Sequence, residues 1–206
     1  MLKSYFDVEW VSVKVGIVFS TLGISPNTWT VLALAPAILG FISLYQSNLP
    51  LALVLFVLSG FLDIIDGAVA RVTKSVSNLG AFLDGIIDRY VEILMYLGLW
   101  FFLQGTPEFV LPTSIWVMLL IFGALMPTFV RAYADHREVV TDHDDQKRMG
   151  GLIERFERLT LIYLGMFLAL VYTGQALLYA IALTALLTNL TAMQRILFVV
   201  QYRRKD

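Results

Sequence analysis

Four aspartates and an arginine, set between two apolar runs, carry the chemistry that this sequence can do. In FLDIIDGAVARVTKSVSNLGAFLDGIIDRY, Asp63 and Asp66 stand three residues apart and Asp84 and Asp88 four apart. On helices these spacings project each pair from a single face, so two such faces turned together form a four-carboxylate pocket. Carboxylates at membrane depth are costly, and four together repel one another unless they protonate, bind cations or meet water. Hard oxygen ligands suit Mg²⁺, Mn²⁺ or Ca²⁺, and two divalent ions would neutralise the pocket. Gly67, Ala70 and Gly80 lie among the acids, where small side chains let a ligand or another helix approach the backbone. Arg71 and Lys74 add positive charge of the kind a phosphorylated ligand requires. A solvated hairpin tip holding ordinary ion pairs is the plainer alternative, but it explains neither the one-face spacing nor the small residues.

The elements that must position these groups are membrane helices. With 206 residues, 58% of them hydrophobic and 15% charged, and a mean hydropathy of +0.76, the chain reads as an all-α integral membrane protein with a single domain over residues 1–206. The expected architecture is six transmembrane helices, near residues 28–45, 51–66, 80–103, 113–132, 159–172 and 176–200, preceded by an N-terminal interfacial amphipathic helix. The start MLKSYFDVEWVSVKVGIVFSTLG is too charged for the apolar core of a signal peptide and suits the interface. Ser25 or Asn27 can cap the first span, with Pro26 tolerated in its first turn, and Pro127 is expected to kink the fourth. Both acid pairs then fall on one membrane side, beside the loop at 72–79. All 15 Lys and Arg lie on that side, so the positive-inside rule places the site and both termini in the cytoplasm. Asp142, Asp144 and Asp145 around His143 read as a solvated loop rather than a metal site, because adjacent residues are not aimed at one point. The absence of cysteine excludes disulfides and thiolate chemistry. Basic residues dispersed among membrane segments argue against nucleic acid as a partner.

The pattern D-x2-D-G-x2-A-R-x8-G-x3-D-x3-D is met by Asp63, Asp66, Gly67, Ala70, Arg71, Gly80, Asp84 and Asp88. It resembles the signature of the CDP-alcohol phosphotransferase family, and the likeness extends over nearly the whole chain. The resemblance implies a membrane enzyme of phospholipid biosynthesis that moves a phosphoryl-linked group from a CDP-alcohol to an acceptor hydroxyl and releases CMP. The implied donor is a CDP-lipid such as CDP-diacylglycerol or CDP-archaeol. Two Mg²⁺ or Mn²⁺ ions on Asp63, Asp66, Asp84 and Asp88 would grip its diphosphate, and Asp88 would be the general base. The resemblance also puts Asp66, Gly67, Ala70, Arg71, Gly80 and Asp84 around the CDP-alcohol. GISPNTWT is similar to the family's stretch before its first span, which makes Asn27 and Thr30 candidate nucleotide contacts, with plain capping as the alternative. Family members are typically homodimers.

A second basic group, Arg131, Arg155 and Arg158, is the candidate holder of an acceptor phosphate. The segment ERFER resembles the E-R-x-E-R stretch of members that use inositol phosphate, whereas Tyr133 and Phe156 depart from their pattern. The expected acceptor is a phosphorylated polyol, inositol phosphate or glycerol 3-phosphate. The same arginines could instead anchor anionic headgroups. Two other classes compete. A cation- or proton-coupled transporter would use the intramembrane aspartates, but after Glu92 no ionisable residue continues a path toward the far side. A structural lipid-binding protein leaves the aspartates without a role. Glu92 itself reads as a hydrogen-bonded structural carboxyl.

Overall fold

The computed structural model describes residues 8–202; the first residues of the expected N-terminal helix, and Arg203, Arg204 and Lys205 of the basic tail, lie outside them. Among the described residues the protein is all-helical, with one isolated bridge between Phe109 and Leu111. It forms two compact units, Met1–Phe102 and Leu103–Asp206.

The first unit contains α1 (Val8–Ser20), α2 (Pro26–Leu32), α3 (Leu34–Tyr45), α4 (Leu49–Val72) and α5 (Asn78–Phe102). Helix α2 begins where Ser25 Oγ accepts the Thr28 N–H at 3.2 Å, with Pro26 in the first turn. Ser25, not Asn27, is therefore the cap. The first span is broken into α2 and α3 at Ala33. Pro36 has no N–H to offer the carbonyl four residues back, and the Ser59 hydroxyl of α4 donates to the Ala33 carbonyl at 2.8 Å. Helix α3 packs tightly on both of its neighbours. A Cβ at Gly40 would stand 2.9 Å from the Phe56 ring of α4, and one at Gly98 of α5 would stand 2.7 Å from Leu44. Helix α1 runs antiparallel to the second half of α4, with Val15 and Phe19 against Leu62, Ile65 and Val69 in a cluster that includes Trp29.

The turn from α4 to α5 keeps both acid pairs at one end of the helix pair. Ser75 N–H bonds the Ala70 carbonyl at 3.0 Å and Lys74 N–H the Arg71 carbonyl at 3.3 Å, the paired bonds that close a helix when the next residue turns left-handed. That residue is Lys74, with φ 53°, where glycine would sit at less cost. Ser77 then caps α5, its Oγ accepting the Gly80 N–H at 3.1 Å.

The second unit contains α6 (Thr113–His136), α7 (His143–Arg148), α8 (Arg155–Val171) and α9 (Gly174–Tyr202). Gly123 of α6 lies so close to α9 that a Cβ there would collide with Thr188, and Asn189 Nδ2 donates to the Leu119 carbonyl at 2.8 Å. Pro127 sits inside α6 without ending it. The polar segment after α6 is more ordered than a solvated loop. Asp142 caps α7, with its Oδ1 accepting the Asp144 and Asp145 N–H groups, while Val140 and Met149 pack with Ala134 into a small core against Phe198 and Tyr202 of α9. Apolar residues on either side of the acidic run, which it masks in the sequence, fold this segment back.

Among the described residues, four stretches are long and apolar enough to cross a bilayer: Pro26–Tyr45, Leu49–Val72, Thr113–His136 and Gly174–Tyr202. Helix α5 has the length, at 25 residues, but carries Asp84, Asp88, Arg89 and Glu92, and α8, at 17 residues, is at the short edge for a span. The protein is a multi-pass membrane protein.

Candidate active site

Helices α4 and α5 bring Asp63, Asp66 and Asp84 together, with carboxylate oxygens all within 4.8 Å of one another. Asp63 and Asp84 are half-buried and Asp66 is buried. Oδ2 of Asp66 is shut off from solvent without a hydrogen-bond partner. Thr30 of α2, itself buried, stands beside the same carboxylate, with its hydroxyl donating to the Pro26 carbonyl at 3.1 Å. Three acids this close, one with an orphaned oxygen, do not stabilise each other; the donor set fits a divalent cation that takes oxygen ligands. Asp88 stands one turn further along α5 and is buried, with 9% exposure. One more turn on, Glu92 is 2% exposed and accepts from Arg89 Nη1 at 2.9 Å and from the Tyr96 hydroxyl at 3.1 Å. Both its oxygens thus serve a structural pair.

The glycines of the motif have distinct neighbours. A Cβ at Gly80 would stand 3.2 Å from Asn27 Oδ1, and a Cβ at Gly67 would stand 3.4 Å from Arg71 Nη1. Gly80 therefore lets the start of α5 meet the first turn of α2, and Gly67 leaves room for the Arg71 guanidinium to fold back along α4. Nη2 of Arg71 donates to Ser12 Oγ of α1 at 2.6 Å. Ala70 lies one turn beyond Asp66 on α4 and is half-buried. Thus Asn27, Thr30, Gly67, Ala70, Arg71 and Gly80 all belong to the unit that holds the acids.

The second unit buries positive charge. Arg158 is 3% and Arg195 5% exposed, and Arg131, Glu154 and Arg158 surround Arg195 closely enough to act on it electrostatically. Arg195 Nε donates to the Gly150 carbonyl and Nη1 to the Pro127 carbonyl, both at 2.8 Å. Nε of Arg131 is buried without a partner. Arg155, the first residue of α8, is half-buried. Arg195 was absent from the candidate group, although an arginine within an apolar span is itself a signal that it could have been included.

An all-helical membrane protein with a carboxylate trio fit for a hard divalent cation is the class that this geometry defines. The model of the CDP-alcohol phosphatidyltransferase family matches residues 23–198, and the chain belongs to that family. Archaetidylinositol phosphate synthase of Pyrococcus horikoshii is 29% identical over 183 residues, covering 89% of this chain and 87% of the relative. Two crystal structures of the phosphatidylinositol phosphate synthase of Mycobacterium tuberculosis share the fold, each with TM-score 0.77 and 22% identity over 92% of this chain. One, in complex with manganese and citrate, is covered over 88% of its length, and the other, with CDP-DAG bound, over 93%. The protein is an enzyme, a CDP-alcohol phosphotransferase of phospholipid biosynthesis.

Proposed function

We propose that the protein transfers the phosphatidyl-type group of a CDP-lipid, CDP-diacylglycerol or CDP-archaeol, to the hydroxyl of a phosphorylated polyol, inositol phosphate or glycerol 3-phosphate, within one catalytic domain. The observation that carries this reading is the trio of Asp63, Asp66 and Asp84 with its orphaned buried oxygen. When bound, two Mg²⁺ or Mn²⁺ ions on Asp63, Asp66, Asp84 and Asp88 would neutralise the donor diphosphate and the departing CMP. Thr30 lines the site beside Asp66, and Arg71 adds a cation beside the donor. Asn27, Gly67, Ala70 and Gly80 shape the space for the cytidine diphosphate. Asp88 takes the proton of the acceptor hydroxyl as that oxygen attacks the β-phosphorus; the bond from β-phosphorus to the bridging oxygen breaks, and CMP leaves with the electron pair. Burial favours this assignment, because a base shielded from water keeps its proton transfer directed at the acceptor.

Arg131, Arg155 and Arg158 are the proposed grip on the acceptor's phosphate. The buried Nε of Arg131, without a partner beside Arg195, supports an anion as the ligand of this cluster. The α5 and α8 helices complete six spans, α1 lies at the interface, and the acid end and both termini face the cytoplasm. A homodimer is the expected assembly, checked by light scattering in detergent. The test of function is CMP release from CDP-diacylglycerol with Mg²⁺ and a panel of inositol phosphate, glycerol 3-phosphate, serine and inositol, with products weighed by mass spectrometry. Products formed from serine or free inositol alone would overturn the phosphorylated acceptor. Liposome ion flux with no CMP release would favour cation-coupled transport.

A further inference from the structure

We infer that Ser12, on α1, is a positioning residue for donor binding and that α1 acts as a strap holding Arg71 in place. This rests on the proposal that Arg71 faces the donor's diphosphate. Arg71 is exposed at the end of α4, and a long side chain at a surface loses much rotamer freedom when it is fixed for binding. Two features restrict it here. Gly67, one turn before it, has no side chain, so the guanidinium lies along α4 with Nη1 3.4 Å from where a Cβ would be. Ser12 Oγ then accepts from Nη2 at 2.6 Å, across 59 residues of sequence. A cationic donor on a neutral hydroxyl makes a short, charge-assisted bond that aims the guanidinium without neutralising it. A carboxylate in the same place would aim it equally well but cancel the charge offered to a diphosphate.

The helix that carries Ser12 is itself seated at a fixed distance. Gly16, one turn later, meets α4 so closely that a Cβ would stand 2.5 Å from the Ala68 carbonyl oxygen and 2.6 Å from Val72 Cγ2. Val15 and Phe19 pack into the apolar cluster with Ile65, Val69 and Trp29. Ser12 therefore approaches Arg71 from a helix anchored on the same face of α4, so the hydrogen bond joins two elements already held in register.

The experiment uses the full-length protein in detergent and measures calorimetric affinity for CDP-diacylglycerol with Mn²⁺ present, alongside Mn²⁺ affinity alone. Ser12→Ala is expected to weaken donor binding by about three- to tenfold, the scale of one hydrogen bond, with Mn²⁺ affinity unchanged. Ser12→Thr, which retains the hydroxyl, should restore it. In Arg71→Ala, which weakens donor binding on its own, adding Ser12→Ala should cost nothing more. If Arg71→Ala weakens the donor and Ser12→Ala does not, the inference is overturned while the donor site stands. If the two losses add, Ser12 acts through something other than Arg71 and the inference is again overturned. If Arg71→Ala leaves donor affinity intact, the placement of Arg71 at the donor fails instead.

Discussion

The acid end of the first unit and the arginine cluster of the second both bury charge among apolar helices, but they accommodate it differently. Asp63, Asp66 and Asp84 have converged with Oδ2 of Asp66 left unpartnered, a donor set that suits a divalent cation. Arg195 spends two of its donors on the carbonyls of Pro127 and Gly150, so much of the cost of burying it is met by backbone. The acids form a site whose oxygens suit a hard cation. The arginines form a scaffold in which the buried Nε of Arg131 is left without a partner.

Removing the ligand that the acids call for should have the largest effect. A chelator is expected to reduce CMP release to background and readdition of Mg²⁺ or Mn²⁺ to restore it, whereas full turnover in metal-free buffer would sink the metal site. Next, Asp88→Asn keeps the side chain's size but removes the proton acceptor, so turnover should fall by on the order of 10²–10⁴ while calorimetry still detects donor binding. Asp66→Asn should lose metal and donor affinity together; equal donor losses in both variants would make Asp88 chiefly a ligand.

On the arginine side, replacing Arg131, Arg155 or Arg158 with Ala should raise the acceptor KM by roughly tenfold each, the scale of a charged hydrogen bond, and leave the donor KM nearly unchanged. An unmoved acceptor KM in all three would leave them as anchors for lipid headgroups. Arg195→Met, which strands two carbonyls, is expected to cost about 2 kcal/mol of stability, read as a lower unfolding temperature in detergent. The smallest effect has the opposite sign. Lys74→Gly relieves a left-handed residue and should stabilise the protein by about 1 kcal/mol; a drop in donor affinity in that variant would show that Lys74 also serves the ligand.

The same contrast explains what could be read from the sequence. The acids lie on two consecutive helices joined by a short turn, so helical spacing alone brought Asp63, Asp66 and Asp84 into one group. The arginine cluster draws on α6, α8 and α9, whose approach depends on packing such as Gly123 against Thr188, and no local period reveals that. Arg195 was visible as a charge in an apolar span, yet its partners Pro127 and Gly150 are 68 and 45 residues away. The break at Ala33 was hidden because Pro36 lies in a uniformly apolar run, where hydropathy marks a span but not its continuity. Asp142, Asp144 and Asp145 around His143 read as a solvated loop and are exposed or half-buried. They nevertheless cap and open a short helix, because Val140 and Met149, which the acidic run outweighs in the sequence, fold the segment back.

That break at Ala33 also bears on how the chain enters a membrane. The Ala33 backbone stays helical, with φ −61° and ψ −23°, but Pro36 leaves the Leu32 carbonyl without its usual intrahelical donor. Such a group costs several kcal/mol in hydrocarbon until it finds a partner, and the neighbouring Ala33 carbonyl already draws a hydroxyl from Ser59 of the following helix. The first two spans are thus poor candidates for stepwise release into lipid and good ones for insertion as a hairpin. Ser59→Ala should then lower the yield of inserted protein more than its effect on the folded enzyme's activity would suggest, which glycosylation mapping during synthesis can measure.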